Sequence, residues 1–379
     1  MRTYLTAEIS ASAVEHNLRL LRGLLPAGTR MCGVVKADCY GHGLGLLLGT
    51  IARHVQHLAV AAPCEALDVR RLGCTLPLLT FMSPCALGCG RELDDSLDEL
   101  VAADVTLTLV SADEAVAISA AAGRVGKPAS VHLKLDTGMG RSGAPAGAAG
   151  SLARDIAGHP LLRLTGMYSH FATADDADKT YALEQLARMK RAAGAVANGN
   201  GGPLVHIANS AATIDIGGSH LDMVRPGIAM YGYQPSDSMV NRLPLRPAMR
   251  LVGRLLQVKT LPGGSRCGYG LTHEFDRDTP VGLVSIGYND GYLRCLSSRA
   301  SMGIRGREAP VCGRVSMDQT IVDLSHVPGA AVGDEVEIVS PEAASPHSAE
   351  NLARLAGTIP YEITCRMGSG GRVGRVLAK

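Results

Sequence analysis

The chain has 379 residues, 46% hydrophobic and 19% charged, with a formal net charge of +2. It is longer than one typical domain and apolar enough for large cores. No basic block stands out and aromatics are scarce (Phe 3, Trp 0), so there is no footprint for nucleic-acid binding, and no apolar run is long enough to read as a membrane span. The start, Met1-Arg2-Thr3-Tyr4-Leu5, lacks the basic, apolar and small-residue pattern of a secretory signal, so a cytoplasmic location is expected. The ten cysteines then read as reduced thiols, mostly small buried hydrophobes. Cys85 and Cys89 are four apart, but no histidine lies nearby to complete a zinc site, and no metal is expected.

Residues 4–9 read as a strand without an evident partner. A helix follows from about Ser12, with Leu18, Leu21 and Leu25 on one face. Strands and helices then alternate. Apolar runs predict strands over 31–36, 58–61, 77–80, 105–108, 130–136, 163–169, 204–207 and 222–225. Helical stretches lie between them, among others 44–56, 112–124 and 178–196. Eight such strands suggest an α/β fold of the (β/α)8 TIM-barrel type. An open doubly wound sheet is the alternative, but no GxGxxG follows the first strand to support dinucleotide binding. Residues 143–150, rich in Ala and Gly, read as a loop. After about Asn241 the long helical periodicity stops. Short alternating strands are predicted over 281–286, 301–305, 309–314, 320–324 and 335–339, with one helix over 348–356 ending at Gly357. This is a second, mainly β domain.

Polar residues gather where the barrel strands end. The first strand closes on Lys36, in the run Val34-Val35-Lys36-Ala37-Asp38-Cys39-Tyr40-Gly41-His42-Gly43. Such a lysine either snorkels into water or is held for chemistry. If it is partly desolvated, it is a nucleophile toward aldehydes, and the best-known use is an imine with pyridoxal phosphate. The fifth strand contributes Lys134 and Asp136, followed by Arg141. The sixth contributes His170, the seventh runs into Asn209 and Ser210, and the eighth delivers Arg225, Gly227 and Ile228. Each has a plainer reading: Asn209 and Ser210 as helix caps, His170 as a core histidine, Arg225 as a surface arginine. In a barrel they would converge on one mouth.

The chain resembles the pyridoxal-phosphate-dependent alanine racemases. VVKADCYGHG is similar to that family's cofactor-lysine motif. HLKLDTGMGR, GMYSHFATAD, HIANSAA, VRPGIAMYGY, GYGLTHEF, IGYNDGY, GRVSMDQ and PYE follow in the family's order. The resemblance implies that Lys36 carries the cofactor and serves as one catalytic base, and that Tyr269 is the second. It implies that Tyr40, Ser210, Gly227, Ile228 and Tyr361 surround the cofactor's phosphate, with Asn209 beside them. Arg225 would face the pyridine nitrogen and His170 would link it to Tyr269. Arg141 would bond the phenolic oxygen and touch substrate, and Lys134 matches a lysine often carbamylated. Met317, through its backbone amide, and Tyr288 would meet the substrate. The implied units are a barrel over 10–240 and a β domain from 1–9 and 241–379. Tyr269, Tyr288 and Met317 of the β domain would reach the partner's barrel in a homodimer with shared sites.

The implied reaction interconverts L-alanine and D-alanine and supplies D-alanine for peptidoglycan. Racemisation moves a proton from one face of a carbon to the other, so two bases on opposite faces invert it without turning the substrate over. A tyrosine of ordinary pKa is a poor base and needs positive charge nearby, which the Arg225–His170 pair would supply. Serine or a broader substrate remains open. A related barrel decarboxylase would place an acid at the pyridine nitrogen, where this chain has Arg225. A non-catalytic pyridoxal-phosphate carrier would lack the β domain. Asp38, Cys39, Cys267-Gly268, Asn289 and Ser369-Gly370-Gly371 depart from the family's usual pattern.

Overall fold

The computed structural model describes residues 4–86, 90–196, 202–369 and 371–378. Cys89 and Gly370 therefore lie outside the described residues. Eight parallel strands close a barrel: Arg30–Val34, His57–Val60, Leu78–Thr80, Val105–Leu109, Ala129–Asp136, Leu162–Tyr168, Leu204–His206 and Met223–Val224. Closure is made where Met223 and Val224 pair with Arg30 and Met31. The strands are buried on both faces. Ala129–Asp136 shows it best, with Leu133 and Leu135 against the outer helices while His132 and Lys134 alternate inward. Full burial of Leu58, Leu107 or Leu133 makes truncation to Ala cost about 2–5 kcal/mol.

The helices start where short polar side chains cap them. Ser10 Oγ accepts from Ala13 N at 3.1 Å to open Ala11–Gly23, and Ser111 opens Ala112–Val125 in the same way. The stretch expected to be a loop over 143–150 is more ordered. Ala144–Pro145 extends the sheet beside Leu135–Asp136, and the helix Ala149–Ala157 has already begun at Ala149. Alanine favours the helix as much as glycine opposes it.

The second sheet is built on Met249–Leu261, a 13-residue strand that the sequence reading missed. Its apolar residues run together at one end and alternate at the other, so neither period dominates. Leu5–Ile9 pairs antiparallel to it and parallel to Val373–Leu377. The N-terminal strand thus joins a sheet made almost entirely by the other end of the chain. Thr279–Val284, Ser301–Ile304, Arg307–Pro310, Thr320–Asp323 and Glu335–Val339 complete the sheet. A second helix, Pro360–Ser369, follows Ala349–Ala356, where one was expected. Its Pro360 reads as a breaker in sequence but sits at the helix start, where the missing N–H costs nothing.

Candidate active site

The strand leading to Lys36 ends at Val34, two residues earlier than the apolar run suggests. Ala37, Asp38, Cys39 and Tyr40 then all have φ between 50° and 57°. A left-handed turn of four non-glycine residues costs roughly 1–2 kcal/mol per residue and must be held by its surroundings. Glu65 Oε1 accepts from Ala37 N at 2.7 Å. Asp38 accepts from Leu44 N with one carboxylate oxygen and pairs with Arg375 through the other. His42 Nδ1 donates to the carbonyls of Cys39 and Tyr40 at 2.9 and 3.0 Å, while its ring stacks on Tyr231. Asp38, a departure from the family's usual motif, is thus one of the groups that hold the turn. The result sets Lys36 and Tyr40 side by side, with the ammonium 5.9 Å from the ring centre.

A cavity of about 410 Å³ opens at the barrel mouth. Lys36, Tyr40, Lys134, Arg141, His170, Asn209, Ser210, Arg225, Gly227, Ile228 and Tyr361 all line it. Asn209 is both a cap and a lining residue, for its Oδ1 accepts from Ala212 N at 3.0 Å. Ser210 is not the cap. Its Oγ accepts from Gly227 N at 2.8 Å and Ala229 N at 3.4 Å, which leaves the hydroxyl proton to donate into the cavity. Gly227 is required here because a Cβ would sit 2.3 Å from the Tyr40 hydroxyl. Asp136 does not line the cavity. Its carboxylate accepts from the N–H groups of Gly138, Met139 and Gly140 and shapes the turn that carries Arg141.

Arg225 is buried, with no carboxylate partner among the described residues. Nη1 donates to His206 Nδ1 at 2.8 Å, and Nη2 donates to Ser169 O at 2.8 Å and His170 Nδ1 at 3.3 Å. Burial pulls the guanidinium down to about 10, so it still carries its charge near neutrality. Burial, with Arg225 next, drives His170 down to about 3, so that ring is neutral. Arginine only donates, so His170 Nδ1 must accept and the ring's proton must be on Nε2. Burial and then Arg141 lower Lys36, and the same two causes bring Lys134 to about 8. Lys36, Lys134, Arg141 and Arg225 thus meet around one cavity that has no acidic lining residue among the described residues.

Such a set fits an anionic aromatic cofactor. The Ser210 hydroxyl and the Gly227 turn suit a phosphate, the desolvated Lys36 suits an aldehyde, and Arg225 offers a fixed donor to a ring nitrogen. Tyr269, Tyr288 and Met317 do not line this cavity. They are 69%, 42% and 51% exposed on loops of the β domain. Gly287 lets two of those loops meet, because a Cβ there would strike Met317 O; Tyr288 N and Asn289 N donate to Ser316 O and Met317 O at 3.0 Å. Sequence reading passed over Tyr168, Phe81 and His206. Tyr168 and Phe81 lie 5.2 and 5.8 Å under the Arg225 guanidinium, and His206 stacks on Tyr168. A polar residue inside an apolar strand, as in Leu204–His206, was the available signal.

Two family models cover most of the chain: "Alanine racemase, N-terminal domain" over residues 9–235 and "Alanine racemase, C-terminal domain" over 248–377. The chain is 42% identical over 376 residues to an alanine racemase of Desulfovibrio desulfuricans, with 98% of each covered. A relative of the same name from Syntrophobacter fumaroxidans is 37% identical, with 95% of this chain and 94% of that one covered. The fold is similar to the alanine racemase of D-cycloserine-producing Streptomyces lavendulae, with a TM-score of 0.90 at 34% identity, covering 100% of this chain and 98% of that one. The Clostridium difficile 630 enzyme in complex with cycloserine gives a TM-score of 0.87 at 32% identity, covering 100% and 96%. On both its barrel and its β domain, this chain belongs to the alanine racemase family.

Proposed function

We infer that the protein is an isomerase that interconverts L-alanine and D-alanine with pyridoxal phosphate, in the cytoplasm, and so supplies D-alanine for peptidoglycan. The observation that carries this is the single cavity where Lys36, Arg225 and the Ser210–Gly227 cradle meet. Among the described residues no helix is long and apolar enough to cross a membrane. When bound, pyridoxal phosphate supplies the carbonyl that takes the amino acid and the electron sink that makes its α-proton acidic.

The chain's own residues do the rest. Lys36 would hold the cofactor and would move the substrate's α-proton on one face. Ser210, Tyr40, Tyr361 and the Ile228 amide hold the phosphate, at the turn where Gly227 lets the backbone come close while its own N–H donates to Ser210 Oγ. Arg225 donates to the ring nitrogen without giving up its proton. His170 Nε2–H is a donor that favours the anionic form of an approaching tyrosine, which Tyr269 of a partner subunit supplies. Arg141 donates to the phenolic oxygen and the substrate, and carbamylated Lys134 steadies it. The Met317 N–H, which donates to no acceptor among the described residues, takes the substrate carboxylate, with Tyr288 narrowing the entrance. Tyr269, Leu271, Tyr288 and Met317 are large side chains left exposed on the β domain, as residues that a second copy covers would be, which supports a homodimer with shared sites. The units are 10–240, and 1–9 with 241–379.

The test is direct. Purified protein incubated with pyridoxal phosphate and L-alanine should produce D-alanine to near equality by chiral chromatography. A folded, cofactor-loaded protein that leaves L-alanine unchanged would sink the reading.

A further inference from the structure

Two loops of the β domain carry Tyr288 and Met317, and a single guanidinium spans them. Arg372 lies just before the last strand, Val373–Leu377. Its Nε and Nη2 donate to the two carboxylate oxygens of Asp290 at 2.8 and 2.6 Å, and Nη1, on the other edge, pairs with Asp318 at 2.9 Å. Asp290 follows Tyr288 by two residues, and Asp318 follows Met317 directly. The Asp290 side chain is fully buried, and its Oδ2 also accepts from Gly287 N at 3.1 Å. A forked arginine on a buried carboxylate is a geometrically exacting contact. To fasten the end of the chain, the Asp290 fork would be enough. The third arm, to the half-exposed Asp318, ties in the loop that carries Met317.

The clamp fixes the direction of one N–H. With the loops held together, Tyr288 N donates to Ser316 O and Asn289 N to Met317 O, both at 3.0 Å. The peptide between Ser316 and Met317 is planar and trans, so its N–H points opposite to its carbonyl. Ser316 O turns in toward Tyr288, and the Met317 N–H must therefore turn away from that loop. This is why that N–H meets no acceptor among the described residues. An amide that receives a substrate oxygen binds well only if it is already aimed. Three residues on, Arg375 pairs with Asp38 in the Lys36 turn. One short stretch, residues 372–375, thus braces both the lysine turn and the two outward loops.

We propose that Arg372 is a positioning residue for the substrate carboxylate: by holding Asp290 and Asp318 together it keeps the Met317 N–H aimed out of the loop pair. The carboxylate contact rests on the racemase reading; the clamp itself does not. The carboxylate is present before, during and after proton transfer. Losing an aimed N–H therefore weakens all these states alike, and raises KM more than it lowers kcat.

Steady-state racemisation and amide deuterium exchange, both on protein loaded with pyridoxal phosphate, test this together. In Arg372→Ala, KM for L-alanine and for D-alanine should rise about tenfold or more, the usual worth of a hydrogen bond to a charged group, while kcat stays within about threefold. The Tyr288 and Asn289 amides should exchange about tenfold faster or more, with those of residues 131–135 in the barrel unchanged. Arg372→Lys keeps the charge and loses the fork, so it should show the same changes in smaller measure, and it decides the matter if Arg372→Ala fails to fold. Equal exchange in the wild type and the folded variants overturns the clamp. Faster exchange with an unchanged KM, or a fall in kcat alone, shows a fastening with no part in substrate binding and overturns the proposal. If the wild type does not racemise alanine, the racemase reading falls, and the exchange rates still decide the clamp.

Discussion

Arg225 shows how one side chain fixes its neighbours. It can only donate, so both histidines that receive its protons must hold their own on the far nitrogen, one aimed at the mouth and one down the barrel axis. Lys134 is the residue whose charge is most open to change. With its ammonium at about 8, roughly a tenth is neutral at pH 7, and only the neutral amine attacks carbon dioxide. Carbamylation would turn one of four cations into an anion beside Arg141. Protein equilibrated with carbon-13 bicarbonate should show a carbamate carbonyl signal that grows as pH rises through 8, fades in acid, and is absent in Lys134→Ala. No signal anywhere between about pH 6 and 9 would rule the modification out. Tyr269→Phe removes one oxygen and should cut racemisation about a hundredfold or more in both directions, the usual loss for a proton-transfer group. The variant should still exchange the α-proton of D-alanine with deuterated solvent through Lys36, and exchange that of L-alanine far more slowly. Equal rates for both enantiomers by NMR would remove Tyr269 from the mechanism.

Among the elements, the turn over residues 37–40 matters most for function and was the least legible. Apolar periodicity carries the first barrel strand up to Lys36, but four consecutive left-handed residues without glycine have no local signature. They exist because Glu65 accepts from Ala37 N, Asp38 accepts from Leu44 N, His42 donates to the Cys39 and Tyr40 carbonyls, and Arg375 of the last strand closes on Asp38. Asp38→Ala should therefore lower stability by about 1–3 kcal/mol, read as a lower urea midpoint with an unchanged slope. Asp38→Asn keeps the acceptor for Leu44 N, loses the ion pair, and should fall between. An Asp38→Ala midpoint equal to wild type would show that the turn holds without its carboxylate.

At the scale of the whole molecule the two halves of the proposed site belong to different surfaces. The cavity is lined by the barrel and by Tyr361, while Tyr269, Tyr288 and Met317 face outward from the β domain of the same chain. Mixing the inactive variants Lys36→Ala and Tyr269→Phe, then refolding them together, tests whether partners share sites. Half the dimers formed at random are mixed, and each has one intact site of two, so about a quarter of wild-type activity should return. If each chain completes its own site, none returns.

Sequence alone was enough for the alternation of strands and helices, for the change of character after Asn241, and for most of the polar residues that line the mouth, though not for Tyr168 or Ser142. Those properties are local: an apolar run, a period, a lysine at the end of a strand. The tertiary structure decided what depends on distant partners. Leu5–Ile9 has no meaning as a strand until Met249–Leu261 and Val373–Leu377 flank it. His206 and His132 are unremarkable in sequence and become a directed chain only when barrel closure brings them to Arg225. Periodicity records which face of an element is buried, but hydrogen-bond direction and unpaired charge depend on which atoms meet across the core, and folding alone decides that.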